Sequence, residues 1–95
     1  MSSFVLVRTT VHDDDAFEAY RTLAAPSIRA FAGKMLLRGS VLEVMEGDES
    51  SERVAVIAFK DADTARAWYR SPEYQHAIAA RTGAATMALT LVDGH

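Results

Sequence analysis

The chain has 95 residues, 49% hydrophobic and 24% charged, with a formal charge of −3 and a pI near 5.5. This is the make-up of one folded domain over residues 1–95 and not of a disordered segment, and its acidic balance leaves no basic footprint for nucleic acid or an anionic membrane. The absence of cysteine excludes disulfides, thiolate nucleophiles and Cys-ligated zinc.

The first expected element is a strand from Phe4 to Val11. Phe4-Val5-Leu6-Val7 is apolar at consecutive positions, so both faces of the strand must be dry. The run is too short, and its start too poor in basic residues, for a signal peptide. Nor does any run approach a membrane span, so the expected location is the cytoplasm. His12-Asp13-Asp14-Asp15 follows. Three adjacent acids there are better read as an N-cap with dipole-favouring carboxylates than as a metal cluster, and no metal is expected. Phe17, Tyr20, Ala24, Ile28 and Phe31 recur at helical spacing and define a buried stripe. Pro26 lies inside that pattern, so a kink or break is expected just before it. Gly33 is expected to close the helix in the left-handed conformation.

Lys34 to Glu46 reads as a second strand, long enough to hold a bulge, which Gly39 would mark. An acidic turn, residues 46–52, leads into Arg53–Lys60. Here six apolar residues stand in a row, three of them β-branched. This too is a strand with two dry faces. Asp61 should cap the next helix, which carries Ala62, Ala65, Trp68 and Tyr69 on one side. Ser71-Pro72-Glu73 is a fresh helix start, with Ser as N-cap and Pro at the first position. The helix should therefore break near Arg70 and resume through Tyr74, Ala77, Ile78 and Arg81. Gly83 ends it, Thr86 to Val92 forms the last strand, and Asp93-Gly94-His95 is a tail.

The order strand, helix, strand, strand, helix, strand closes with right-handed crossovers as a split βαβ, or ferredoxin-like, fold. The class is α+β: a four-stranded antiparallel sheet with its helices on one face and the first and third strands in the centre. Four strands at ~4.8 Å spacing make a sheet ~19 Å wide. Helices ~10 Å apart cover one side of it. The other side, roughly 400–500 Å², would stay bare, and patches of that size mark interfaces. At ~25 cal/mol per Å² its burial is worth on the order of 10 kcal/mol before association costs. A homodimer, sheet against sheet, is the expected assembly.

Phe31-Ala32-Gly33-Lys34, Leu37-Arg38-Gly39, Glu43-Val44-Met45-Glu46-Gly47, Ala67-Trp68-Tyr69-Arg70-Ser71-Pro72-Glu73-Tyr74-Gln75 and Arg81 together resemble the DUF1330 family, itself similar to the dimeric α/β-barrel superfamily. The resemblance covers nearly the whole chain, and the Trp-Tyr-x-Ser-Pro-Glu-Tyr segment is its most specific part. Ala32 departs from it, standing where the family usually has the first of two glycines. The resemblance implies the same ferredoxin-like dimer and no particular activity. The wider superfamily holds cofactor-free monooxygenases, isomerases, haem-handling enzymes and proteins without known catalysis, and fold does not choose among them.

In such a fold a cavity is expected between helices and sheet. Tyr20, Arg38, Trp68, Tyr74 and Arg81 are the candidate substrate-binding residues, with His76 also within reach by position. Arg38 interrupts an apolar strand segment, so it needs water, a carboxylate such as Glu43, or a ligand anion. Arg81 at a helix end is equally explained by the helix dipole, and Trp68 by core packing. His12 is a general base by type or a solvated loop residue, while His76 is expected to face outward. No nucleophile motif, phosphate loop or dinucleotide fingerprint is present, so no cofactor is expected.

Two functions stay open. One is a small-molecule binder or cofactor-free enzyme acting on an organic acid or aromatic, with Arg38 as anchor and Tyr20 or Tyr74 completing the hydrogen bonds. The other is a non-catalytic dimeric module whose pocket its own side chains fill. A cavity above ~300 Å³ lined by Arg38 and a tyrosine favours the first, and a closed core the second.

Overall fold

The computed structural model describes residues 2–48 and 50–94. Seven elements follow one another: β1 (Ser3–Val11), α1 (Asp14–Ala30), β2 (Lys34–Ser40), β3 (Arg53–Phe59), α2 (Ala62–Arg70), α3 (Pro72–Ala80) and β4 (Ala85–Asp93). The strands form one antiparallel sheet in the order β2-β3-β1-β4. The two strands with apolar residues on both faces, β1 and β3, are the central ones. This is the ferredoxin-like arrangement expected from the order of elements. His95 of the expected tail lies outside the described residues.

Burial alternates along β1. Val5, Val7 and Thr9 are buried, while Phe4, Leu6 and Arg8 between them are only half covered. Val5 pairs with Ile57 and Leu91, and Val7 with Ala55 and Leu89, so these positions share the helix-covered face. Phe17, Tyr20, Ala24, Trp68, Tyr74 and Ala77 close over them as one core. The opposite face carries Phe4, Leu6, Val54, Val56, Leu37 and Val92 by the same register. None of these is fully buried, and Leu37 is 52% exposed.

Helix starts are where the acids and the serine place them. Asp13 accepts from the Ala16 N–H at 3.1 Å and Asp61 from that of Thr64 at 2.7 Å. Among the described residues no group of His, Asp and Glu is arranged to hold a metal. Ser71 serves two helices with one hydroxyl. Its Oγ–H donates to the Trp68 carbonyl at 2.7 Å, closing α2, and its oxygen accepts from the Tyr74 N–H at 3.2 Å, opening α3.

Four expectations are corrected. Helix α1 runs through Pro26 without a break. The proline removes the bond to the Thr22 carbonyl, but both residues are exposed and water can take that place. The left-handed residue after α1 is Ala32, with φ 57°, and not Gly33. The Gly33 N–H bonds the Ile28 carbonyl at 2.9 Å and the Ala32 N–H that of Arg29 at 3.0 Å, a Schellman closure. Gly33 is required for another reason: a Cβ there would stand 2.7 Å from Phe59 Cε1 and 2.8 Å from Ile28 Cγ2. The second strand ends at Ser40, not Glu46. A strand needs a partner, and β3 begins only at Arg53, so residues 42–46 have none to pair with. Lastly, the bulge is not at Gly39, which pairs regularly with Val54, but between Met35 and Leu37.

That bulge has a consequence for side-chain direction. Met35 pairs with Ile57 on the helix face, and simple alternation would send Arg38 to the opposite one. The extra residue, Leu36, reverses the parity: Leu37 pairs with Val56 on the bare face and Arg38 with Ala55 on the helix face.

Candidate functional site

Four of the five candidate residues converge behind the sheet. Ser71 fixes the angle between α2 and α3, and with it the Trp68 and Tyr74 rings, whose centroids lie 4.2 Å apart. Phe59 supports Trp68 from the sheet at 5.3 Å. The indole N–H donates to Ser27 Oγ at 3.0 Å, and the Ser27 hydroxyl donates to the Ala24 carbonyl at 2.6 Å. From α1, the Tyr20 hydroxyl meets that of Tyr74 at 2.8 Å. Arg81, the C-cap of α3, donates from Nη1 to the Tyr74 hydroxyl at 3.4 Å and to Met87 Sδ at 2.9 Å. Its guanidinium carbon lies 5.3 Å from the Tyr20 ring centre.

The electrostatics of this cluster follow from burial. Desolvation raises the Tyr74 phenol well above its ordinary range, and the neighbouring Tyr20 adds to that rise. Tyr20 is raised too, by burial first, with the bond from Tyr74 and the Arg81 cation acting against it. Both phenols are therefore neutral at physiological pH and can donate a hydrogen bond, but neither is a base there. Arg81 is the one charge in the group. Its partners are a phenol, a thioether and an aromatic face, and it makes no ion pair among the described residues.

Two cavities flank this cluster, with Met87 in the wall of both. The smaller, about 290 Å³ and open on one side, is lined by Val5, Trp68, Leu89 and Leu91, with Arg66, Arg70 and Arg81 also in its lining and no carboxylate. The larger, about 500 Å³, is a groove between α1 and the β2–β3 edge, and both Tyr20 and Arg38 line it. The core is not closed. Arg38 stands apart from the other four candidates, exposed on β2 and without an ion pair to Glu43 or any other described residue. His76 is exposed on α3, as expected. His12 is bonded through Nε2 to Thr86 Oγ1 at 2.8 Å at the end of β1, in neither cavity.

Sequence reading missed Ser27, Met87, Leu89 and Leu91. Ser27 could have been found, because it is a polar residue standing within the apolar stripe of α1. Met87 and the two leucines gave no signal beyond strand alternation.

Solved structures similar to this chain share its fold. A protein of unknown function from Rhodopseudomonas palustris is 19% identical, with a TM-score of 0.80 over 99% of this chain and 82% of that one. SnoaB, a cofactor-independent oxygenase from Streptomyces nogalater, is 19% identical, with a TM-score of 0.70 over 99% of this chain and 93% of its own. A dimeric ferredoxin-like protein of unknown function from Jannaschia is 12% identical, with a TM-score of 0.67 over 99% of this chain and 100% of its own. At these identities the likeness is one of fold. No curated protein matches the chain, and no helix among the described residues is long and apolar enough to cross a membrane. The match that reaches the sequence itself is a family model, the domain of unknown function DUF1330, over residues 2–95, and the chain belongs to that family.

Proposed function

We propose that this protein is a homodimer that binds a small organic acid, aromatic or short-chain, without a cofactor in the smaller cavity, with Arg81 as the anchor of the carboxylate. The observation that carries the reading is the state of Arg81. A guanidinium held in place by neutral groups alone keeps its full charge for a ligand anion and loses little freedom on binding one. Leu89 and Leu91 offer an apolar surface for the body of the acid. Arg38 lies on a wider groove, is exposed, and has no neighbours that hold its guanidinium still, so we place the anchor at Arg81. The neutral tyrosines hold Arg81 and do not act as bases, which favours binding over proton abstraction. Open cavities speak against a module filled by its own side chains. The dimer reading rests on the bare apolar sheet face, and structural neighbours described as dimeric lend it weight.

Trp68 is the only tryptophan in the chain and lines the smaller cavity but not the larger, so its fluorescence reports on one site. Titration with 4-nitrobenzoate should quench it saturably. Arg81→Gln should raise the half-saturation concentration at least about tenfold, the size expected when one charge-assisted contact is lost. Arg38→Ala should change it less than about twofold. Quenching that does not saturate, or that weakens only in Arg38→Ala, would remove the assignment.

A further inference from the structure

After Val41, whose N–H bonds the Glu52 carbonyl at 2.8 Å, the chain leaves the sheet and runs to Asp48 with no strand on either side. Two of its side chains are the barest large apolar ones among the described residues, Leu42 at 99% and Met45 at 91% exposed. Its charged residues are all acidic: Glu43, Glu46 and Asp48. The groove of about 500 Å³ between α1 and β2 has the opposite character. Ala25, Ile28, Met35 and Ala55 give it an apolar floor, and Arg21, Arg38 and Arg53 stand in its walls against a single carboxylate, Glu18. Arg21 and Arg53 have carboxylate partners, Glu18 at 3.4 Å and Asp14 at 3.5 Å, while Arg38 has none among the described residues.

An apolar, acidic segment and an apolar, basic groove lie on one molecule without meeting. Two sheet faces of roughly 400–500 Å² each bury only about 900 Å² together, short of the ~1,200 Å² at which stable interfaces begin. Something else has to contribute area. The loop is held at both ends by the Val41–Glu52 bond, so its ten intervening residues reach outward by about half their extended length, ~16 Å. This still exceeds the ~10 Å between stacked sheets, and the tip around Met45 can pass around the sheet edge to a second copy. In a twofold dimer both segments and both grooves are then satisfied at once.

We propose that the loop tip of each protomer, residues 43–48, seats in the α1–β2 groove of a second copy, with Met45 on its apolar floor and Glu43 against Arg38. This rests on the dimer reading above. It gives the edge strand β2, which carries a row of unpaired backbone groups, a cover drawn from the partner, and it accounts for the charge on Arg38 without a ligand.

The chain has no cysteine of its own, so disulfide trapping is specific. Met45→Cys chains mixed with Ala25→Cys chains should cross-link at least about tenfold faster than with Ala79→Cys chains, because docking raises the effective concentration of one thiol only. Ala25 and Ala79 are both exposed helix positions, and only Ala25 lines the groove. In sedimentation, Arg38→Glu should weaken the dimer and Glu43→Arg in the same chain should restore it. A dimer in which the two mixtures cross-link equally fast overturns this proposal alone. So does a disulfide within one chain carrying both Met45→Cys and Ala25→Cys, since the segment would then occupy its own groove. A monomeric protein overturns the proposal and the dimer reading together.

Discussion

The Trp68 cluster and the β2 edge belong to one small sheet but are built on opposite terms. Around Trp68 every polar group has a partner inside the chain: the indole has Ser27, the Ser71 hydroxyl ties two helices, and the two phenols have each other and Arg81. Among the described residues no buried side-chain polar atom is left without a bond. Along β2 all seven residues are exposed, three of them large and apolar in sequence, and the segment beyond is barer still. The first region is bonded throughout within one copy of the chain, with Arg81 held by neutral groups, while the second leaves its apolar side chains in solvent. The difference separates the residues that hold the fold together from those that the fold leaves bare.

Substitutions should divide along the same line. Trp68→Ala removes a side chain that is 1% exposed and should cost about 3–5 kcal/mol, a large share of the stability of a domain this size. Met45→Ala, at a side chain that is 91% exposed, should cost the isolated protomer less than about 0.5 kcal/mol while weakening self-association. Denaturant unfolding run at several protein concentrations separates the two effects, and equal losses in the two variants would erase the contrast.

A sharper form of the test lies at the turn into β2. Gly33→Ala forces a methyl against Phe59 and Ile28 and should destabilise by about 1–3 kcal/mol. One residue earlier, Ala32→Gly relieves a left-handed backbone at a non-glycine residue and should stabilise by about 0.5–1 kcal/mol. The opposite signs at adjacent positions can be read from thermal melting.

A further effect concerns pH. Tyr20 and Tyr74 have phenol pKa values raised by burial. A raised folded value means that stability is full below the unfolded value, near 10, and falls as pH climbs above it, because only the unfolded chain then gives up those protons. Tyr20→Phe should cost about 1–2 kcal/mol at neutral pH by taking from the buried Tyr74 hydroxyl its hydrogen-bond partner on α1, and should lessen the loss above pH 10. Chemical denaturation at pH 8 and pH 10.5 measures both. An alkaline loss unchanged in the variant would show that other groups cause it.

Much of this architecture was legible in the residues. Strand order followed from the order of elements and right-handed crossovers, in agreement with β1 and β3 being apolar on both faces, and the helix starts followed from Asp13, Asp61 and Ser71, since capping is a local matter of one side chain and the next turn. What was not legible depended on partners distant in sequence. The role of Gly33 is set by Phe59, twenty-six positions on. The end of β2 is set by where β3 begins. The direction of Arg38 is set by a bulge at Leu36, which no glycine or proline announces, and a single reversal of parity there places it in a different cavity from Trp68 and Arg81. The five candidates could be named from residue type and spacing, but not that Trp68 and Arg81 line one cavity, Tyr20 and Arg38 the other, and Tyr74 neither.

The claim beneath both functional readings is that the uncovered side of the sheet, with Phe4, Leu6, Val54 and Val56 upon it, is closed by a second copy. Sedimentation equilibrium of the unaltered protein at about micromolar concentration tests it most directly. The account predicts a single species of twice the chain mass that shifts toward one chain mass when Leu6→Lys places a charge in that face. A compact, folded species of one chain mass at that concentration would contradict it.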